Sequence, residues 1–166
     1  WLSKDLLEPA RRPALVDALI HAANGWGVSL HCNKGIAGAT QEAQARTLDT
    51  AMNPAVVDAF ALAITGGEEP AAYPGVAGHE PNAGEGRIDA KLMKAAWGPL
   101  LALQAKPASY VSETDYFEAD WQQAFWGEHY PRLKQIKRRY DPDGLFFVHH
   151  SVGCEGWSAD GFAREA

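Results

Sequence analysis

Cysteine is scarce in this chain of 166 residues: Cys32 and Cys154 stand far apart, and neither belongs to a CxxC pair. Two such thiols exclude a disulfide framework and are expected to be buried and free. A glycine-rich phosphate cradle is missing too. No GxGxxG and no GxxxxGK[ST] occurs, which excludes a complete dinucleotide-binding fold of the usual kinds. No stretch reaches the ~18 apolar residues of a membrane span, so no membrane partner is expected; no charged-then-apolar leader opens the sequence, which means little for a chain that reads as starting in mid-protein. Basic runs are few: 15 Lys and Arg face 21 Asp and Glu, a net charge of −6, which argues against nucleic acid. The densest basic patch, Lys134, Lys137, Arg138 and Arg139, falls on an expected helix and reads as a solvated face near its C-terminus.

Aromatic and apolar side chains are plentiful. Six Trp, five Tyr and six Phe in a chain that is 46% apolar bring more burial-prone area than a disordered chain carries. Length and composition suit one soluble globular domain.

Pro13 followed by ALVDALIHAA predicts a helix ended by Gly25, with Leu15, Leu19 and Ala22 or Ala23 at helical spacing. Residues 26–33 alternate as a strand does. Trp26, Val28, Leu30 and Cys32 share the core face, while Gly27, Ser29, His31 and Asn33 share a wet or pocket-lining one. NKGIAGA is a glycine-bearing turn, and a short helical turn is expected around Asn53-Pro54. DAFALAIT is strand-like by period and helix-like by alanine content, with strand favoured in its second half. Residues 66–86 read as a long loop rich in Pro, Gly and charge. Residues 87–103 predict a helix on Ile88, Leu92, Ala96 and Leu100, which Pro99 can kink or shorten. ASYVSE (108–113) is a strand candidate, DWQQAFWG and YPRLKQIKRRY are helices closed by Asp141-Pro142, and GLFFVHHSV (144–152) is a last strand. The expected fold class is α+β, an antiparallel or mixed sheet covered by helices on one side.

Residues 109–162 run SYVSETDYFEADWQQAFWGEHYPRLKQIKRRYDPDGLFFVHHSVGCEGWSADGF. They hold a Tyr-x-Asn-like strand, a Trp, an aromatic-Gly pair, Tyr-x-Arg-Leu, a Lys, Asp-Pro and a short aromatic strand. This run resembles the C-terminal signature of flavoprotein oxidases of the vanillyl-alcohol-oxidase and berberine-bridge-enzyme superfamily. NKGIAG and MNPAVVDAFALAI look like its branch of secondary-metabolite and alcohol oxidases. The resemblance implies an FAD-dependent oxidase that moves hydride from an alcohol-type or aromatic small molecule to flavin N5 and reduces O2 to H2O2. Residues 1–140 would then be a substrate-domain portion whose sheet roofs the isoalloxazine. Residues 141–166 would return to an FAD-binding domain supplied by an N-terminal part or a separate polypeptide. Two positions depart from the pattern: Ser112 stands where Asn is usual, and Cys154 where Ser is usual. The rival reading is a non-catalytic binding domain that kept the fold, favoured by Ser112 and by the missing flavin domain.

Under this resemblance Tyr110 is the expected catalytic base and a flavin contact. Removing a hydroxyl proton while hydride leaves carbon needs a base within hydrogen-bond reach. A phenol of pKa ~10 needs a nearby cation or donors for that work, and its alternative role is structural, with the hydroxyl on a backbone carbonyl. His31, Asn33 and Ser112 are substrate-binding candidates. Lys34 supplies the positive charge in the same reading, or is an exposed turn lysine. His149 and His150, adjacent on a strand, point to opposite faces and cannot share an ion, so no metal is expected. One of them would touch FAD and the other pack. Glu113 and Asp115 are expected to hold the strand end or pair with Arg132, while Trp121, Phe125, Trp126 and Tyr130 read as core.

Overall fold

A computed structural model of the chain describes residues 1–32, 36–67 and 70–165. In chain order its elements are β1 (Leu2–Ser3), α1 (Arg12–Gly25), β2 (Val28–His31), α2 (Gln41–Leu48), α3 (Ala55–Asp58), β3 (Ala59–Thr65), α4 (Ala83–Ala102), α5 (Trp121–Trp126) and α6 (Tyr130–Tyr140). Single 3-10 turns lie at Lys4–Leu7, Gly127–His129 and Cys154–Gly156. The chain forms two compact units, one of Leu2–Asn33 with Ala59–Ala105, the other of Trp1, Lys34–Asp58 and Lys106–Ala166. Residues on either side of position 140 lie in the same unit.

The first unit is α+β: an antiparallel three-stranded sheet, order β1-β3-β2, with α1 and α4 packed together against it. The whole of 59–65 takes the strand that the period favoured. Its small residues Ala61 and Ala63 are buried and leave room for helix side chains close to the backbone. Val28 pairs with Thr65 and packs against the core as its alternation predicts, whereas Leu30, opposite Ala63, is exposed. Among the described residues Leu6 and Leu100 are the fully sequestered large side chains, each worth roughly 1.5–3 kcal/mol of burial. The helix expected from residue 87 starts earlier, at Ala83. Asn82 accounts for this, since its side-chain oxygen accepts from the amides of Gly84 and Glu85, both at 3.2 Å. At the other end Arg11 Nη2 donates to the Leu103 carbonyl, covering one of the acceptors that a helix terminus leaves open.

The second unit is built from α2, α3, α5, α6 and turns. Here two expectations fail. Residues 108–113 are irregular, then a turn closed by the Glu113 amide donating to the Tyr110 carbonyl at 3.0 Å, and not a strand. Residues 144–152 form no strand either. Gly144 at φ 68°, His150 at φ 57° and Gly153 at φ 83° bend the backbone out of extension, and Asp141 binds the amides of Leu145 and Phe146 in a local turn. Helix α2, which the sequence pattern did not announce, is capped by the Thr40 hydroxyl on the Ala43 amide at 3.2 Å.

The basic patch on α6 is only half solvated. Lys134 pairs with Glu155, and Lys137 binds Asp141 and the Phe146 carbonyl, while Arg138 and Arg139 are exposed. Arg132 pairs with Asp49 at 2.5 Å, not with Glu113 or Asp115; Asp115 accepts instead from the Phe117 amide. Both cysteines are free, but Cys32 is exposed because it lies past the last paired residue of β2, and Cys154 is half-buried.

Candidate functional site

A cavity of about 110 Å³ opens in the second unit, bounded by Trp1, Met52, Val56, Tyr110, Phe125 and Trp126 with smaller neighbours. Its walls are mostly apolar. The anchor is Asn53, the buried polar side chain among the described residues. Its Nδ2 donates to the carbonyls of Gln123 at 3.0 Å and Ala124 at 2.8 Å, and its Oδ1 accepts from the Ala55 amide at 3.0 Å. The two carbonyls can only accept, which fixes the orientation of the amide. Asn53 thereby caps α3 and satisfies the end of α5 together. The Ser109 amide donates to the same Ala124 carbonyl at 2.9 Å, which sets Tyr110 beside the helix end. Gly127 closes the arrangement at φ 54°, where a Cβ would stand 3.0 Å from Asn53 Oδ1.

Tyr110 is half-buried, edge-on to Trp1 with ring centroids 6.4 Å apart. Among the described residues no hydrogen bond engages its hydroxyl, so its phenol does not serve as a backbone pin. Ser112, two residues on, is exposed in the turn.

From Trp121 a stack of rings leads outward. Trp121 lies nearly parallel to His150 (5.3 Å, 10°), His150 meets His149 at 3.7 Å, and His149 stacks on Tyr116 (4.0 Å, 13°). The two histidines therefore lie ring against ring and not on opposite faces, because the positive φ of His150 turns the chain back. His149 Nε2 lies 2.8 Å from the Tyr116 carbonyl; the carbonyl only accepts, so Nε2 carries the proton. Burial lowers the pKa of His150, the neighbouring His149 lowers it further, and Asp115 opposes both. Tyr116 and Phe117 are 62% and 70% exposed, an aromatic surface beside the exposed His149. Trp121 and Phe125 are core, as expected, with Trp126 and Tyr130 packed on them.

His31 sits in the other unit, exposed at the end of β2 opposite Leu62. Asn33 and Lys34 lie outside the described residues. No group of three or more potential metal-ligating side chains occurs among the described residues. Sequence reasoning missed Asn53 as an anchor, although Asn before Pro at a helix start is a capping signal. It missed Glu155 as well, because its partners Tyr130 and Lys134 lie more than twenty residues away.

Residues 109–153 match the family described as berberine and berberine like. An FAD-linked oxidoreductase, notD', of Aspergillus versicolor is 47% identical over 75 residues, which is 43% of this chain and 12% of that protein. The notD FAD-linked oxidoreductase of an Aspergillus strain is 49% identical over 72 residues, 42% of this chain and 12% of the relative. The chain thus matches about an eighth of the length of these relatives. The crystal structure of the VAO-type flavoprotein MtVAO615 from Myceliophthora thermophila superposes with a TM-score of 0.71 at 22% identity, over 95% of this chain and 27% of that one, a likeness of fold. By signature, sequence and fold, the chain resembles the C-terminal part of FAD-linked oxidoreductases of the VAO type, with a berberine-like match at residues 109–153.

Proposed function

We propose that this chain forms the substrate-facing wall of an FAD-dependent oxidase acting on an alcohol-type or aromatic small molecule, with the FAD-binding part supplied by an N-terminal domain or polypeptide. The observation that carries the reading is Tyr110: a phenol without a hydrogen-bond partner among the described residues, at the edge of a mostly apolar cavity, in the segment that matches the berberine-like family. The cavity suits the apolar body of a substrate, and the phenol suits its hydroxyl.

The residues present fit one end of FAD. Exposed rings at Tyr116 and Phe117 and the outward His149 suit contact with a flat heteroaromatic system, whereas the sequence offers no glycine-rich cradle for a diphosphate. Tyr110 and His149 would hold the ring, and His150, sandwiched between His149 and Trp121, would brace it. Residues 141–166 would return towards the FAD-binding part. The chemistry FAD supplies when bound is acceptance of a hydride at N5 and delivery of two electrons to O2, giving H2O2. Tyr110 takes the substrate hydroxyl proton, and Ser112, two residues on, orients the substrate. Apolar walls from Met52, Val56 and Trp126 keep bulk water from the reacting carbon.

The test is to isolate the protein with whatever polypeptide accompanies it and record its visible spectrum and peroxide output with small alcohols. A flavin spectrum bleached by substrate and restored by air supports the reading. A folded particle without flavin supports the rival, a binding domain that kept the fold without the chemistry.

A further inference from the structure

The proposed reaction uses one phenol and leaves a better-wired one idle. Tyr130 opens α6 with its ring perpendicular to Trp121 at 5.5 Å and tilted against Trp126 at 5.7 Å; the two indoles meet edge-on at 5.9 Å. At such separations the ring edges touch, close enough for electrons to pass from ring to ring. Trp126 also lines the cavity beside Tyr110. The Tyr130 hydroxyl donates to Glu155 Oε2 at 2.6 Å and accepts from the Gly153 amide at 3.2 Å. Lys134 Nζ holds the other carboxylate oxygen, Oε1, at 2.5 Å.

The chemistry of this trio is specific. Burial and the Glu155 carboxylate push the Tyr130 phenol well above its ordinary range, so it does not simply ionise. Hydrogen bonds from Lys134 and Tyr130 outweigh the burial of Glu155 and keep it ionised. A phenol stripped of one electron, by contrast, becomes a strong acid, and it yields that electron readily only when a base already holds the proton. Glu155 is such a base, kept charged by Lys134 and already hydrogen-bonded to the hydroxyl.

We propose that Tyr130 is a proton-coupled one-electron donor to the Trp121–Trp126 pair, with Glu155 as its proton acceptor. The step balances as follows. A strong one-electron oxidant near the cavity, of the class of peroxide-derived oxygen radicals, takes one electron from an indole and is itself reduced by one. Tyr130 returns an electron to the indole cation, and its proton crosses to Glu155 Oε2. The products are a restored tryptophan, a neutral tyrosyl radical and a protonated carboxyl group. A thiol or ascorbate-class reductant then restores the phenol by giving back an electron, while the proton returns from Glu155. In an oxidase this removes oxidising equivalents from the neighbourhood of Tyr110. That benefit rests on the function proposed above; the transfer itself does not.

Pulse radiolysis in azide solution tests it without flavin, because the azide radical oxidises indoles in preference to phenols. In the intact protein the indole radical is expected to decay in a first-order phase, independent of protein concentration, as a tyrosyl radical rises. Tyr130→Phe should abolish that phase, Glu155→Gln should slow it by roughly tenfold or more, and the exposed Tyr140→Phe should leave it intact. Heavy water should slow the wild-type phase, a readout that needs no variant. An unchanged phase in Tyr130→Phe or Glu155→Gln, or no solvent isotope effect in the wild type, overturns the proposal. A protein that shows this phase but binds no flavin would overturn the oxidase reading alone.

Discussion

His21 Nε2 lies 3.2 Å from the carbonyl of Ala95, the acceptor that Pro99, four residues further along α4, cannot bond. Proline lacks the N–H and its ring crowds that same carbonyl, so a helix interior rarely tolerates it. Here a side chain from α1 supplies the missing donor, and α4 runs on to Ala102. Because the carbonyl only accepts, the histidine must carry its proton on Nε2.

A double-mutant cycle exposes that relationship. His21→Ala is expected to cost about 0.5–1.5 kcal/mol, at the low end because the site is exposed. In a Pro99→Ala background the helix bonds its own carbonyl, and the cost should shrink. Urea midpoints of the four proteins give the coupling, and additive midpoints would mean that the two residues act independently.

Asn53 is a buried amide that ties α3 to α5 in the second unit. Asn53→Ala removes three hydrogen bonds and leaves the Ala55 amide without its acceptor, while the Gln123 and Ala124 carbonyls keep the Gly127 and Ser109 amides, and should cost about 1–3 kcal/mol in two-state unfolding. Loss of that order, with the helix content of α5 and α6 retained, fits a pin and not a general packing residue.

Two glycines separate conformational need from mere presence. Gly144 sits at φ 68°, and an added Cβ would come within 2.2 Å of the Trp157 ring, so Gly144→Ala should cost at least about 1–3 kcal/mol. Gly86, inside α4 with nothing within 4 Å, should behave oppositely. Gly86→Ala is expected to stabilise by about 0.5–1 kcal/mol. Thermal unfolding of the pair checks both signs.

His150 links the aromatic stack to pH. Its folded-state pKa is lowered, chiefly by burial, so between the unfolded value near ~6.5 and the folded value the unfolded chain binds the extra proton. Its contribution is therefore present above that window and lost as pH falls through it. Stability should decline on acidification below about pH 6.5, and His150→Phe, which keeps a ring in the stack, should flatten that decline. NMR titration that puts His150 above its ordinary value would contradict the assignment.

Much of the sheet unit is legible in the residues themselves. Leu15 with Ala22 and Ala96 with Leu100 announce buried stripes at helical spacing, and Val28 falls on the core side of a strand. The second unit is harder to read, because its apolar residues are organised by distant partners and not by period. Residues 145–148 look like a strand only until Asp141, Gly144 and His150 impose their turns, and Arg132 chooses Asp49, 83 residues away. Of the candidate site, Tyr110 and the two histidines were singled out through resemblance to a family. Tyr130 and Glu155 meet through a contact that no local pattern encodes, and the Asn53-Pro54 pair signals the cap on α3 but not the bonds to Gln123 and Ala124.

The most direct trial of the account is Tyr110→Phe in the flavin-containing protein, measuring anaerobic flavin reduction by substrate alongside flavin content. The account predicts a fall in reduction rate of roughly a hundredfold or more, with flavin retention near wild type. An unchanged rate at full flavin content would contradict it and remove Tyr110 from the chemistry.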